Sequence, residues 1–432
     1  MKTRQPTAGQ ITAPARPARG RLGRPFALLW AGQTASMIGD QVTLIALPLL
    51  AVRYAAASTF DVGLLGTCLR LPFLLIGLPA GIWVSKIGLN RSMVIADVAR
   101  GLAVGLLPAA ALAGVSSLPE LSAVALVVGT GTVFFQVSYQ SVVPDLIADQ
   151  WRWHAANTRL SLSESMALLL GPALGGVIVS WWAPPGALFA DMLTYAVSVT
   201  TLLMIAHGRG ARAAARPAVP GAVASPRVPL RRQIADGLRY VRRSPVLNSI
   251  MWTGAAYNLG SAMYDSLLIV FAVRVLGLTP ARLGIAIGLG GIGFPVGSMI
   301  SGRVNARLGL GPALIAAAVP SVGGLLVAAC ATGRPAALVL AAGTMLVGLG
   351  QGCFAVNAIT LRQLASSDEM RARATSVHRF VSFGALPAGS LLAGLIGQYW
   401  GIRPAMILAG LISATCAWPL LASPLRRRDP AF

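Results

Sequence analysis

Long apolar runs, broken by short polar connections marked by Gly, Pro and Arg, dominate this chain. With about 20 consecutive apolar residues taken as one bilayer crossing, the sequence predicts twelve spans. They fall at 26–50, 62–84, 92–114, 120–142, 160–182, 187–206, 247–271, 282–302, 312–331, 336–360, 376–398 and 403–421. Inside hydrocarbon the backbone has to satisfy its own polar groups, so runs of this length are read as helices. The one long polar interval, 207–245, divides the spans into two sets of six. The expected organisation is a disordered tail at 1–24, a six-helix bundle over 25–206, a linker at 207–245, a second bundle over 246–421 and a short tail at 422–432.

The two sets repeat each other. Pro79 and Gly81 recur as Pro295 and Gly297, Pro172 recurs as Pro387, and Trp30 and Gly32 recur as Trp252 and Gly254. Duplicated bundles around a central chamber are what alternating access requires. Breakers also concentrate in one run, LLLGPALGGVIV from Leu168 to Val179. Glycines there let another helix approach backbone to backbone, and Pro172 removes an amide donor and is expected to bend the span. In the linker, LRRQIADGLRYVRR from Leu230 to Arg243 sets Leu230, Ile234, Leu238 and Val241 on one helical face among arginines, which predicts an amphipathic helix on the inner leaflet.

Composition narrows the class. Hydrophobic residues make up 55% and charged residues 11%, far below the roughly 25% charge of soluble domains. The net charge of +22 would point to nucleic acid in a soluble protein. Here the basic residues sit in short loops on one side, with only Arg53, Arg274, Arg282, Arg334 and Arg403 on the other and Arg70 and Arg100 inside spans. The positive-inside rule therefore predicts a multi-pass membrane protein with both termini cytoplasmic and no nucleic-acid partner, and the Arg-heavy, Lys-poor composition, 33 against 2, fits a bacterial inner membrane. Cys68, Cys330, Cys353 and Cys416 all fall within spans, which excludes a disulfide framework. No GxxxxGK[ST], HExxH, CxxC or GxSxG occurs, so neither an enzyme, a metal site nor a cofactor is expected.

Several motifs carry a family resemblance. AxxxGPALGG, with Ala167, Gly171, Pro172, Gly175 and Gly176, is similar to the fifth-helix motif of the drug-proton antiporters in the major facilitator superfamily. The segment from Gly81 to Arg91 resembles that family's GxxxDRxGRR loop, keeping Gly81, Gly88 and Arg91 but carrying Ser85 at the acidic position and Lys86 at the next. LLWAGQTASMIGD, VPDLI and RYVRRSPVL resemble its enterobactin-exporter and macrolide-efflux branch. The resemblance implies an all-α membrane protein, twelve helices in two pseudo-symmetric six-helix bundles, and a monomer. It also implies proton-coupled efflux of a lipophilic drug or a secondary metabolite such as a siderophore or macrolide. An importer or lipid flippase without antiport, and a non-transporting receptor on the same fold, remain as alternatives. In the family the loop carboxylate latches the cytoplasmic side, so Ser85 leaves that latch to Lys86 alone or to Asp97.

A carboxylate inside hydrocarbon is costly and is a functional hypothesis by default. Asp40 in the first span and Asp265 in the seventh are the leading candidates for binding protons or a cationic substrate. Asp97 and Arg100, spaced i, i+3, are expected to neutralise each other near the cytoplasmic end of the third span. Glu164 is expected to gate the inner mouth against Arg303 or Arg362. Arg70 is read as neutralising an internal carboxylate or binding an anionic substrate group. Asp191 is placed at the interface, and His154, His207 and His378 in solvated positions. Under the family arrangement Gln33, Gln136, Tyr139, Trp252, Tyr257, Asn258, Gln351 and Asn357 would contact the small-molecule cargo.

Overall fold

The computed structural model describes residues 22–427, apart from 78, 148, 150, 151 and 214–229. The expected tail at 1–24 falls almost wholly outside the described residues, as does the Pro-rich part of the linker.

The N-terminal half contains α1 (Arg24–Tyr54), α2 (Thr59–Ile76), α3 (Ala80–Ile87), α4 (Leu89–Leu112), α5 (Leu118–Ser141), α6 (Val143–Leu146) and α7 (Trp153–Ala213). The linker helix is α8 (Leu230–Arg243). The C-terminal half contains α9 (Pro245–Val270), α10 (Pro280–Gly291), α11 (Gly293–Leu308), α12 (Leu310–Ala329), α13 (Ala336–Leu364), α14 (Asp368–Trp400), α15 (Ile402–Ala414) and α16 (Ala417–Leu421). Among the described residues eleven helical stretches are long and apolar enough to cross a membrane, and this is a multi-pass membrane protein.

The eleven stretches and the twelve expected crossings are reconciled within α7. Its apolar stretch, Ala155–His207, is 53 residues long, and Ala183 interrupts it with φ 54 and ψ 169, just before Pro184 and Pro185. The chain doubles back there. Ser163 before the break receives a hydrogen bond from Trp30 of α1, while Thr201 after it lies against Gly32, also of α1. The two limbs are thus the fifth and sixth crossings. Ala183 falls in the gap expected between the fifth and sixth spans, and the backbone dihedrals at Pro172 stay helical. A proline pair held outside the helical region by its predecessor turns a chain more sharply than one proline inside a long helix.

The turns joining α3 to α4 and α11 to α12 are alike in both halves. Gly88 has φ +94 and Gly309 φ +86, a conformation that L side chains rarely adopt. These repeat-related glycines support the duplication seen in the sequence.

The linker helix differs from its expected place. Gly237 packs against Val377 of α14, and Val241 shares a buried cluster with Leu247, Met251, Ala374 and Val377. Tyr240 adds polar anchors, accepting from the Ser367 amide at 3.0 Å. The apolar face of α8, where described, is therefore covered by the C-terminal half instead of by lipid.

The halves meet unevenly. At the face away from the termini, one continuous apolar core draws Ile45 and Leu50 of α1, Leu65 of α2, Leu267 of α9 and Leu283 of α10 together. At the terminus-bearing face the cores are separate: Leu29, Met93 and Phe135 cluster within the first half, and Ile250, Leu314 and Leu361 within the second.

Candidate functional site

The seam between the halves is made by residues without bulk. A Cβ on Gly63 of α2 would come within 2.5 Å of the Gly394 Cα on α14. On the other side of the molecule a Cβ on Gly176 would strike the Pro280 carbonyl and stand 3.1 Å from the Gly284 Cα. With no hydrophobic drive between helices in lipid, close backbone approach supplies the packing. The repeat-related prolines sit at the two contacts: Thr67 of α2 donates to the Pro387 carbonyl at 3.3 Å, and the Pro172 carbonyl abuts Gly284 of α10. Further bonds reinforce the seal, from Arg274 to the Ala57 carbonyl at 2.9 Å and from the Ala281 amide to Ser180 at 3.0 Å. The fifth-helix motif divides its work, since Gly171 and Gly175 receive Gln41 and Val42 of α1 while Gly176 receives the opposite half. Ala167 lines a cavity.

Toward the terminus-bearing face three cavities open in series. The first lies in the N-terminal half, has a volume of about 280 Å³, and is lined by Gln33, Asp40, Gln136, Tyr139, Glu164 and Ala167 among others. The second, about 480 Å³, lies between the halves. It shares Gln136 and Gln140 with the first and reaches Gly81 of the loop motif. The third, about 290 Å³, lies within the C-terminal half, is lined by Tyr257, Asn258 and Gln351, and shares Phe383 with the second.

The acidic cluster of the first half is the most developed polar feature. Arg100 of α4 is fully buried, bonded to Asp97, with Asp40 of α1 at 3.6 Å. Phe135 and Tyr195 flank its guanidinium, ring centroids at 4.9 and 4.7 Å. Gly131 of α5 makes the space, because a Cβ there would stand 2.6 Å from the Arg100 Cγ. Tyr195 donates to Asp40 at 2.6 Å, and Ser198 donates to Asp97 at 2.6 Å. Asp191 accepts from Thr43 at 2.5 Å and from Thr194 at 3.0 Å, and Gly39 leaves room for its carboxylate. Three carboxylates thus gather near one guanidinium. Asp97 is completely buried, whereas the Asp40 side chain is 38% exposed, so Asp40 is the member that meets the cavity.

Several sequence expectations are corrected here. Asp97 and Arg100 do pair, but deep in the bundle and shared with Asp40, and Asp97 is therefore not free to replace the missing loop carboxylate. Asp191 is buried, not interfacial; the sixth crossing starts at the Pro184–Pro185 turn, which puts it two turns inside. Asp191 and Tyr195 are the members that sequence reasoning missed, and the Gly39–Asp40 pair was the available signal. Asn357 is fully buried, accepting from Ser301 at 3.0 Å and Asn305 at 2.8 Å, so it ties α13 to α11 instead of facing cargo. Trp252 is exposed and lines none of the three cavities. His378 lines the third cavity with its Nδ1 buried, rather than being solvated, and the His154 side chain lies outside the described residues. Glu164 has no ion-pair partner among the described residues, so the expected contact with Arg303 or Arg362 is not formed. Ser85 donates to the Ile82 carbonyl at 2.8 Å, within its own helix, and Lys86 and Arg91 are exposed. Asp265 of α9 does find a cation, lying 3.8 Å from Arg70 of α2 across the seam.

Two six-helix halves sealed at one face and separated by polar cavities at the other define a secondary transporter of small molecules. The chain belongs to the family described as transmembrane secretion effector, a major facilitator (MFS) family whose pattern matches residues 18–431. It is 25% identical over 404 residues to the multidrug efflux pump Tap of Mycolicibacterium fortuitum, covering 89% of this chain and 91% of Tap. Among solved structures it is similar to a bacterial homologue of the human lysosomal transporter Spinster, inward-facing and unoccupied, with a TM-score of 0.68 and 15% identity over 96% of this chain and 100% of that one. The nucleoside transporter NupG superposes with a TM-score of 0.69 and 11% identity over 92% of this chain and 98% of that one.

Proposed function

We propose that this protein exports a lipophilic drug or secondary metabolite, such as a macrolide or siderophore, in exchange for protons. The resemblance to the enterobactin-exporter and macrolide-efflux branch and the similarity to a multidrug efflux pump support the direction and the cargo class. The excess of arginine in loops on the terminus-bearing side supports a cytoplasmic location for that face, which makes the present conformation inward-open.

The observation that carries proton coupling is the cluster of Asp40, Asp97 and Asp191 around Arg100. If all three carboxylates were ionised, one guanidinium would leave the site with surplus negative charge in a low-dielectric interior, and a bound proton or cation offsets it. Asp40 is where cavity water reaches the cluster. Loading a proton on Asp40 weakens its hold on Arg100 and Tyr195, and cationic or polar cargo in the cavity competes for the same carboxylate. Gln33 and Tyr139, whose Oε1 and hydroxyl have no hydrogen-bond partner among the described residues, line the first cavity and are further candidate contacts for cargo or water.

The experiment is reconstitution in proteoliposomes with an imposed pH gradient and a panel containing a tetracycline, a macrolide and a hydroxamate siderophore. Proton movement on cargo addition supports exchange. Asp40→Asn should insert and fold but stop gradient-driven transport; normal transport by that variant removes Asp40 from the mechanism.

A further inference from the structure

We infer that the cavity inside the C-terminal half is a binding site for the anionic head of an amphipathic organic acid, held by Arg362 with His378 beside it. This rests on the exporter reading above and narrows it to a substrate class.

The two end cavities are opposite in charge. The first is lined by two carboxylates, Asp40 and Glu164, against the single guanidinium of Arg100. The third carries Arg362 and His378, with Arg379 at the adjoining central cavity. No acidic side chain is among the described residues lining the third cavity. Arg362 is half-buried, and no hydrogen bond or ion pair with a described residue satisfies it. Its charged neighbour is Arg379, of like sign. A guanidinium partly withdrawn from water with no counter-charge among the described residues is costly, and at the end of a membrane span it marks a ligand path.

Other polar side chains of the cavity are each held by one bond to a neighbour. Gln351 donates to the Tyr257 hydroxyl at 2.9 Å, Asn258 to the Ser382 carbonyl at 2.9 Å, and Thr253 to the Cys416 carbonyl at 3.0 Å. The Arg362 fork lines the cavity with no hydrogen-bond partner among the described residues, and the His378 ring stands beside it, its Nδ1 likewise without one. Gly254 lies under the imidazole, a Cβ there standing 3.3 Å from the His378 Cε1, so the ring is held against α9. A planar carboxylate suits the guanidinium fork. The other walls, Phe294, Phe354 and Phe383, offer apolar and aromatic surface. At about 290 Å³ the cavity is at the small end of ligand sites. It therefore takes the acid and one ring, with the rest of the molecule passing Phe383 into the central cavity.

The test uses three isosteric probes on the full-length protein in phosphatidylcholine nanodiscs: 2-naphthoate, 2-naphthamide and 2-naphthylmethylamine, measured by titration calorimetry. Naphthoate is expected to bind at least about ten-fold tighter than the amide and the amine. Arg362→Gln should remove that preference, with an unchanged thermal midpoint in detergent reporting a folded protein. Arg362→Lys should keep part of it, and Arg282→Gln, at the opposite face, should keep all of it. Equal binding of acid and amide, no binding of naphthoate, or full retention of the preference by Arg362→Gln overturns the inference. So does loss of naphthoate binding in nanodiscs containing phosphatidylglycerol, which would make the site a lipid-headgroup contact. The exporter reading fails separately: charge-selective binding without proton movement sinks proton exchange alone, and proton-driven export without charge selectivity sinks this site alone.

Discussion

Arg70 on α2 and Asp265 on α9 stand 3.8 Å apart and carry an ion pair across the seam between the two six-helix halves. Arg70 also donates to Ser390 of α14 at 3.3 Å, and Ser390 accepts from Ser266 at 3.0 Å. The pair lies below the Gly63 and Gly394 contact and can exist only while that face is shut. Both side chains are partly exposed, so the ion pair contributes about 0.2–1 kcal/mol to the sealed state. Asp265→Asn should raise the population open at that face by up to about five-fold. Spin labels at Ala57 and Gln398, read by pulsed dipolar spectroscopy, measure it. Exchanging the charges, Arg70→Asp with Asp265→Arg, should restore the original distribution.

Arg100 is fully buried between two aromatic rings with carboxylates on either side. Arg100→Met removes the one cation and leaves those carboxylates uncompensated, a loss of about 3–5 kcal/mol. A clear fall in melting temperature in detergent is expected. Asp97→Asn in the same chain should recover part of it, because it deletes one of the uncompensated charges.

Gly176 and Gly284 meet with no space for a side chain. Gly176→Val should hold the seam apart without disturbing the packing of α7 on α1, which depends on Gly171 and Gly175. A cysteine at Ser180, whose hydroxyl accepts from the Ala281 amide across the seam, should then react faster with a membrane-impermeant maleimide, and turnover should fall because the sealed state is no longer reached. Unchanged labelling would show that the seam tolerates the added bulk.

Asn357 is buried in bonds with Ser301 and Asn305. Asn357→Leu should cost about 1–3 kcal/mol through polar groups left unsatisfied. The thermal midpoint should drop while cargo selectivity, measured as relative transport across the panel, stays as it was. A change in selectivity at constant stability would return Asn357 to the cavity wall.

The motifs legible in the sequence were those written in residue type and spacing. The small-residue face of the fifth crossing did prove to be a close helix contact, and the 215–222-residue repeat of prolines and glycines was realised as two matching seams and two matching positive-φ turns. Asp40 and Arg70 were recognisable because a charge inside an apolar run stands out. Their partners were less so. Asp191 looked interfacial because it stands only four residues into the expected span 187–206, whereas the helix begins at the Pro184–Pro185 turn and packs Asp191 against α1. Asn357 resembled a cavity residue because side-chain direction on a helix depends on which neighbour packs against it. His378 and Arg362 were read by their distance along the chain from a loop, not by the hollow they share.

From the order of its residues alone this chain is a membrane protein of two duplicated helical sets, since apolar run length, glycine spacing and charge bias are one-dimensional properties that the bilayer reads directly. Tertiary structure decided which face is sealed, which three carboxylates surround Arg100, and that acidic and basic cavities lie at opposite ends of one cleft. Those features arise between helices distant in sequence, where a few ångströms of approach or the turn of one helix determines whether two charges meet.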